Sequence, residues 1–409
     1  MLNACHCIII NSVYNKIMKT KVTLGIILSF IFSWFLISTS FAKTDPFYYG
    51  VWLPFWEKQA GATDISIHID HVNEISPFSY EIGTNGKILD DLKIGSGSWN
   101  AWFSSLRDLN VKNIPTIAWF DGPNIYKLLS VAKTRQAEED AIKNLVVSNN
   151  FNGIDIDFES MLPKTKPYYS LFIQGLAQRL HPLKKTLTCT IVPRVPLDSL
   201  YLNPPTSTPQ YAEDYSVLNK YCDEVRVMAY DQGLIDVKLD ASKGNGTLYA
   251  PVADPDWVTK VLDLVLKDIN PKKVMLGIPT YGYEYQVSWA NGVSTYQRVR
   301  SFTFQQAMDR GDSIGMTPVR NNAGELSYTY ASTTFVKGIS SGLTWSVSST
   351  EPAFVASSSA KGLNTLYISF PDATSFQTEV TLAKKYGLRG AVLFKADGQF
   401  DPAIWDEMK

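Results

Sequence analysis

Asn152-Gly-Ile-Asp-Ile-Asp-Phe-Glu159 is the stretch from which the fold is read. Side chains alternate along a strand, so Ile154, Ile156 and Phe158 share one face and Asp155, Asp157 and Glu159 the other. The first face is apolar enough to lie under helices. The second carries carboxylates in a row, which repel one another and are costly to desolvate. Nothing structural asks for that row. At the carboxyl end of a strand in a parallel barrel it has a use, because the catalytic residues of such barrels gather there.

Comparable runs occur at Tyr48–Phe55, Val72–Phe78, Ile114–Phe120, Thr186–Val192, Val225–Tyr230, Val274–Ile278 and Gly390–Phe394. Each is short, rich in Val, Ile and aromatics, and bounded by Gly, Pro, Asn or Asp. Amphipathic helical segments lie between them. Ala141, Ile142, Leu145 and Val146 share one face of such a segment, and Val258, Val261, Leu262, Val265 and Ile269 share another. Strands that alternate with helices eight times over predict a (β/α)8 TIM barrel. A doubly wound open sheet is the competing architecture. It is disfavoured because no Gly-x-Gly-x-x-Gly turn follows the first run. Successive runs start 24 to 49 residues apart, except the last two, which start 116 apart. The excess, about residues 286–360, is polar, Ser/Thr-rich and strand-prone, with alternation at Leu326–Tyr330. It predicts a small α+β insertion subdomain after strand seven, forming one wall of the barrel mouth.

The chain has 409 residues, 45% hydrophobic and 19% charged, which excludes disorder as its main state. Lys plus Arg number 38 against 39 for Asp plus Glu, so there is no basic footprint for nucleic acid. At the amino end, Lys16, Lys19 and Lys21 precede the apolar run Val22–Leu36 and the small-x-Ala site Ser40-Phe41-Ala42. This is the layout of a secretory signal peptide over 1–42, with translation expected to start at Met18. An uncleaved anchor is the alternative, but the run is short for a span of about 20 residues. The exported barrel would then occupy 43–409, in a secreted, periplasmic or cell-envelope location, without a stable membrane anchor. It keeps Cys189 and Cys222, on or beside neighbouring predicted strands. A bridge and a pair of buried free thiols both remain open.

The three carboxylates cannot all ionise at short range, so at least one is held protonated. Glu159, farthest toward the mouth, is the natural proton donor. Asp157 can share a proton with Asp155. Carboxylates pushed apart in pKa are how glycosidases run acid chemistry near neutral pH. A magnesium or calcium site would also suit three oxygens, and chelation would then abolish activity; no metal or other cofactor is expected. His68 and His71 lack a third ligand for zinc.

The motif resembles the Asp-Gly-x-Asp-x-Asp-x-Glu signature of family 18 glycoside hydrolases, the chitinase family, with Asn152 in place of the first Asp. Other segments agree in order. Glu74-Ile-Ser-Pro-Phe-Ser-Tyr80 resembles the second-strand motif of bacterial cell-wall-active members. Met228-Ala-Tyr-Asp231 resembles the strand-six motif, Gly277-Ile-Pro-Thr-Tyr-Gly-Tyr283 that of strand seven, and Gly390 to Pro402 the eighth strand and its loop. The resemblance implies hydrolysis of β-1,4-linked N-acetylglucosamine glycans, chitin or peptidoglycan, by a substrate-assisted retaining mechanism. Glu159 would be the acid and base, Asp157 would orient the acetamido group, Asp155 would tune Asp157, and Tyr230 would donate to the acetamido oxygen. Asp231, Met228, Tyr281 and Tyr283 would bind sugar. Phe394 stands where typical members carry a Trp, which leaves less stacking area. A non-catalytic, lectin-like member of the same fold is the alternative, against which the intact Asp155, Asp157, Glu159, Tyr230, Asp231 set argues. Trp52, Trp56 and Trp119 suit a sugar cleft and a core equally. Arg194 is expected to face the cleft. The partner is an N-acetylglucosamine polysaccharide, and a monomer is expected.

Overall fold

The computed structural model describes residues 46–408 apart from Thr84, 95–96, 201–209, Leu234, 291–292 and 333–363. The signal peptide read at 1–42 lies outside the described residues, as does 333–360 of the predicted insertion. Phe47–Lys409 forms one compact unit. Its first seven main strands are β1 (Tyr48–Pro54), β2 (Glu74–Ile82), β3 (Thr116–Trp119), β4 (Gly153–Phe158), β5 (Thr186–Ile191), β6 (Glu224–Val227) and β7 (Val274–Pro279). Then come β8 (Tyr281–Ala290), β9 (Val293–Thr303), β10 (Leu326–Ser332) and β11 (Asn364–Phe370), and finally β12 (Gly390–Phe394).

Strands β1 to β7 and β12 pair in parallel around a ring. β1 pairs with both β2 and β12, so the sheet closes. This is the (β/α)8 barrel. In the register, Thr116 lies beside Asp155, Asp155 beside Thr188, and Thr188 beside Glu224. All are buried, and they make this layer of the barrel interior polar. The odd-even alternation sends Ile154, Ile156 and Phe158 outward into the main apolar core. There Phe158 stacks on Phe172 at 5.5 Å and meets Tyr169, both on the helix Lys166–Leu180.

The helices follow from local chemistry. Asp254 caps Pro255–Val265 by accepting from the Asp256 N–H at 2.8 Å, and Pro255 opens the first turn. Such a cap is worth about 1 kcal/mol. Trp257, Val258, Val261, Leu262 and Val265 are buried on its inner face. Each fully buried apolar side chain contributes roughly 1.5–3 kcal/mol, so packing dominates over capping. Cys189 on β5 and Cys222, just before β6, are joined by a disulfide with their Cα atoms 6.2 Å apart. The bridge ties neighbouring barrel strands together.

Strands β8 to β11 form a separate antiparallel sheet in the order β9, β8, β11, β10. A capping box at Thr303 and Gln306 starts its helix, Phe304–Ser313. The inserted sheet reaches from Tyr281 to Phe370, wider at both ends than the 286–360 read from sequence. Only Thr280 separates β7 from β8, so no turn signal marks the entry. Buried Glu325 binds this subdomain to the barrel. Its carboxylate accepts from the N–H groups of Val252 and Ala253, at 2.8 to 3.1 Å, and from the Ser369 hydroxyl at 2.6 Å.

Candidate active site

A cleft of about 860 Å³ opens at the carboxyl ends of the barrel strands and is flanked by β9. Asp157, Glu159, Met228, Tyr230, Asp231, Tyr281, Tyr283, Trp52 and Phe394 all line it. Asp155 lies deeper, fully buried. Its Oδ2 accepts from the Thr116 hydroxyl at 2.8 Å and from Trp52 Nε1 and Arg226 Nη1, both at 3.2 Å; its Oδ1 accepts from the Thr190 hydroxyl at 2.8 Å. Those donors stabilise a negative charge.

Asp157 has a different environment. It is buried, and its Oδ1 has no protein partner. Burial, reinforced by Glu159, Asp155 and Glu213, holds its carboxyl well above the usual carboxylate range, so it carries a proton. Glu159 is pushed up to about 7 by burial and by the charges of Asp231 and Glu213. The row read from the sequence therefore resolves into a deep carboxylate held by four donors, a middle acid raised well above the usual range and an outer acid pushed up to about 7. That is the division of labour acid–base chemistry needs.

Asp231 sits just beyond β6 with φ +61°, a left-handed conformation that costs a non-glycine residue roughly 1–2 kcal/mol. Its Oδ1 accepts from the hydroxyls of Tyr281 at 2.5 Å and Tyr283 at 2.7 Å. The turn aims the carboxylate into the cleft, and strand β8 supplies both donors. Tyr230 stacks on Phe394 with ring centroids 5.4 Å apart and planes 9° apart. Gly277 makes room for it, since a Cβ there would stand 3.0 Å from Tyr230 Cε1 and 2.6 Å from the Val227 carbonyl oxygen. Trp52 and Tyr281 meet the Phe394 ring edge-on at 5.7 and 5.9 Å. Phe394 is thus the hub of an aromatic floor.

Two expected cleft residues lie elsewhere. Trp119 is in the helix-facing core, edge-on to Phe158 at 5.5 Å. It shares strand parity with Ile117, and Ala118 takes the interior position instead. Arg194 does not line the cleft. Its Nη2 donates to the Glu213 carboxylate at 3.0 Å and to the Glu213 carbonyl oxygen at 2.8 Å, and its guanidinium lies over Tyr211 and Tyr215. A buried carboxylate requires a partner, and this one takes Arg194. Trp56 does border the cleft, 47% exposed and edge-on to Phe78. His68 stacks on Trp405 and does not line the cleft.

Sequence reasoning missed Arg226, Phe78, Glu213 and Arg298. Arg226 had a signal, a charged residue at an interior position of strand six. Phe78 had been placed at a strand end without a role. Arg298, lining the cleft from β9 with its guanidinium 4.4 Å from the Tyr283 ring centre, had none.

Residues 36–399 match the glycosyl hydrolases family 18 profile. The chain belongs to that family. It is 32% identical over 170 residues to the uncharacterized glycosylase YvbX of Bacillus subtilis (strain 168), covering 41% of this chain and 44% of the relative. It is 28% identical over 144 residues to the cortical fragment-lytic enzyme of Bacillus cereus, covering 34% of this chain and 28% of that enzyme. The chain thus spans less than half the length of these curated relatives. Among solved structures, the chitinase from Chromobacterium violaceum ATCC 12472 superposes with a TM-score of 0.65 at 18% identity, over 89% of this chain and 98% of that one. That likeness concerns the fold.

Proposed function

We propose that this glycosidase is exported and hydrolyses β-1,4-linked N-acetylglucosamine glycans with retention of configuration, using the substrate's own 2-acetamido group as nucleophile. The observation that carries the reading is the alignment of Asp157, Glu159, Tyr230 and Asp231 in one cleft, with Asp155 buried beneath them. Glu159 protonates the glycosidic oxygen as the acetamido oxygen closes on the anomeric carbon. Asp157 holds the acetamido nitrogen, and the Tyr230 hydroxyl steadies its oxygen. Water then opens the oxazolinium intermediate, activated by the Glu159 carboxylate, so two displacements give retention. Asp231, held by Tyr281 and Tyr283, and the Phe394 floor bind the sugar before the scissile bond.

The similarity to a cortical fragment-lytic enzyme and the Glu74–Tyr80 motif favour peptidoglycan glycan over chitin. The Cys189–Cys222 disulfide supports export, because such bonds persist in oxidising compartments. The test offers purified protein chitotetraose and, separately, peptide-free peptidoglycan strands, and follows new reducing ends by proton NMR. The β anomer forms first on the preferred substrate. An α anomer from the outset would refute the retaining mechanism, and inertness toward both glycans would refute the activity.

A further inference from the structure

One fully buried charged group of the barrel is not among the expected catalytic residues. Arg226 on β6 is fully buried and uses all three guanidinium nitrogens. Nη1 donates to Asp155 at 3.2 Å and to the Ser76 hydroxyl at 2.6 Å, Nη2 to Glu74 at 2.8 Å, and Nε to Glu224 at 2.9 Å. Its guanidinium also lies 5.2 Å from the ring centre of Trp52, the residue whose Nε1 donates to Asp155. Planar forks of this kind fix partners in direction as well as in charge.

Arg389 donates to the other Glu224 oxygen at 3.1 Å, so Glu224 is shared by two guanidiniums while Arg226 alone reaches Asp155 and Glu74. Glu74 is pushed up to about 8 by burial and by Glu224. Asp155 thus accepts from a guanidinium, an indole N–H and two hydroxyls, whereas Asp157 Oδ1 has no protein partner.

We propose that Arg226 is a positioning residue for catalysis: gripping Asp155 from below, it holds that carboxylate as a fixed anion and makes Asp157 the proton-bearing member of the pair. The proposal rests on the reading that Asp157 and Glu159 act on a glycan. Asp157 faces Asp155 and Glu159 on its own strand, Glu213 ahead of the helix Tyr215–Tyr221, Tyr169 on the helix Lys166–Leu180, Tyr230 beyond β6, and the cation Arg226. Arg226 pulls the Asp157 proton affinity down while its other charged neighbours push it up. The active form carries one proton on the pair. A second proton, acquired as pH falls, abolishes it and sets the acid limb of kcat. Arg226 keeps that limb low. Glu159, whose shift arises from burial, Asp231 and Glu213, sets the alkaline limb.

The test measures kcat and KM from pH 3 to 9 on the glycan that the wild type cleaves. The variants are Arg226→Met combined with Glu224→Gln, which removes one charge of each sign, and Arg226→Lys. Thermal melts establish that each is folded. In the double variant the acid limb moves up by about one pH unit or more, a cation beside an acid being worth about 1–3 units. Its kcat on the acid side falls at least about tenfold, while the alkaline limb and KM stay in place. Arg226→Lys keeps a cation without the fork, and its limb lies between those of wild type and the double variant. If the double variant does not fold, the Lys variant decides alone. A folded variant whose kcat is lowered evenly at every pH, with its acid limb unmoved, overturns the proposal. Should Glu159→Gln remain active, the underlying reading fails instead, whatever Arg226 does.

Discussion

Replacing Arg194 with Met separates a substrate contact from a structural counterion. The guanidinium is held by the buried Glu213 carboxylate and lies 4.0 and 3.8 Å from the ring centres of Tyr211 and Tyr215. Breaking a buried pair from one side costs roughly 3–5 kcal/mol. For a domain of this size that corresponds to a fall in melting temperature of about 4–7 °C, scaling the unfolding entropy by chain length. The loss depends on pH. Burial already holds Glu213 above the usual carboxylate range, and Arg194 pulls it back down. Without Arg194 the folded state binds that proton more tightly than the unfolded chain does. Stability therefore falls as pH rises from the ordinary carboxylate pKa through the raised folded one. Melts of the two proteins should differ little near pH 4 and most at pH 7 to 8. KM for the glycan should change less than about twofold, because the side chain does not line the cleft. A raised KM with unchanged melting would refute this and return Arg194 to the substrate.

Three further outcomes are expected. The kcat profile should fall on its alkaline side with an apparent pKa near 7, as Glu159 loses the proton it must donate; a profile flat to pH 9 would contradict that role. Tyr283→Phe should raise KM by about 5–10-fold with little change in melting, since Asp231 loses one of its two tyrosine donors, worth about 1 kcal/mol or slightly more; isothermal titration with an uncleaved analogue checks it. Cys189→Ala with Cys222→Ala should cost about 3–4 kcal/mol, from the entropy of a loop with a sequence separation of 33, read from urea unfolding; an unchanged midpoint would contradict it.

The barrel was legible because burial imposes a simple pattern. Gly153–Phe158 could be bounded from its alternation alone, and β12 likewise. Strand β6 was read through to Tyr230 but ends at Val227, because the backbone turns off to reach the left-handed Asp231. Strand β2 continues past Phe78 to Ile82, where it pairs with residues 88–90. Those ends depend on partners far along the chain. Within the site, the alternation that exposed Asp155 and Asp157 also places Trp119 with Ile117 on the outer face, so that error lay in weighing an aromatic by its type and not its parity. Arg194 was different. Its partner Glu213 comes from a separate segment, and no local pattern announces a buried carboxylate in need of a cation. Arg226 falls between these cases. Its parity pointed inward, but its pairing with Glu74 joins strands 152 residues apart, which only the closed barrel brings together.

The most direct test of the account is the turnover of Glu159→Gln beside wild type at pH 6, on chitotetraose and on peptide-free peptidoglycan strands, with products read by mass spectrometry. Wild type should yield shorter oligomers from at least one glycan. The variant should lose about 10²–10⁴-fold in kcat, the usual contribution of a positioned acid, while still binding the intact glycan. A variant within about threefold of wild type would contradict the assignment of Glu159 and with it the mechanism.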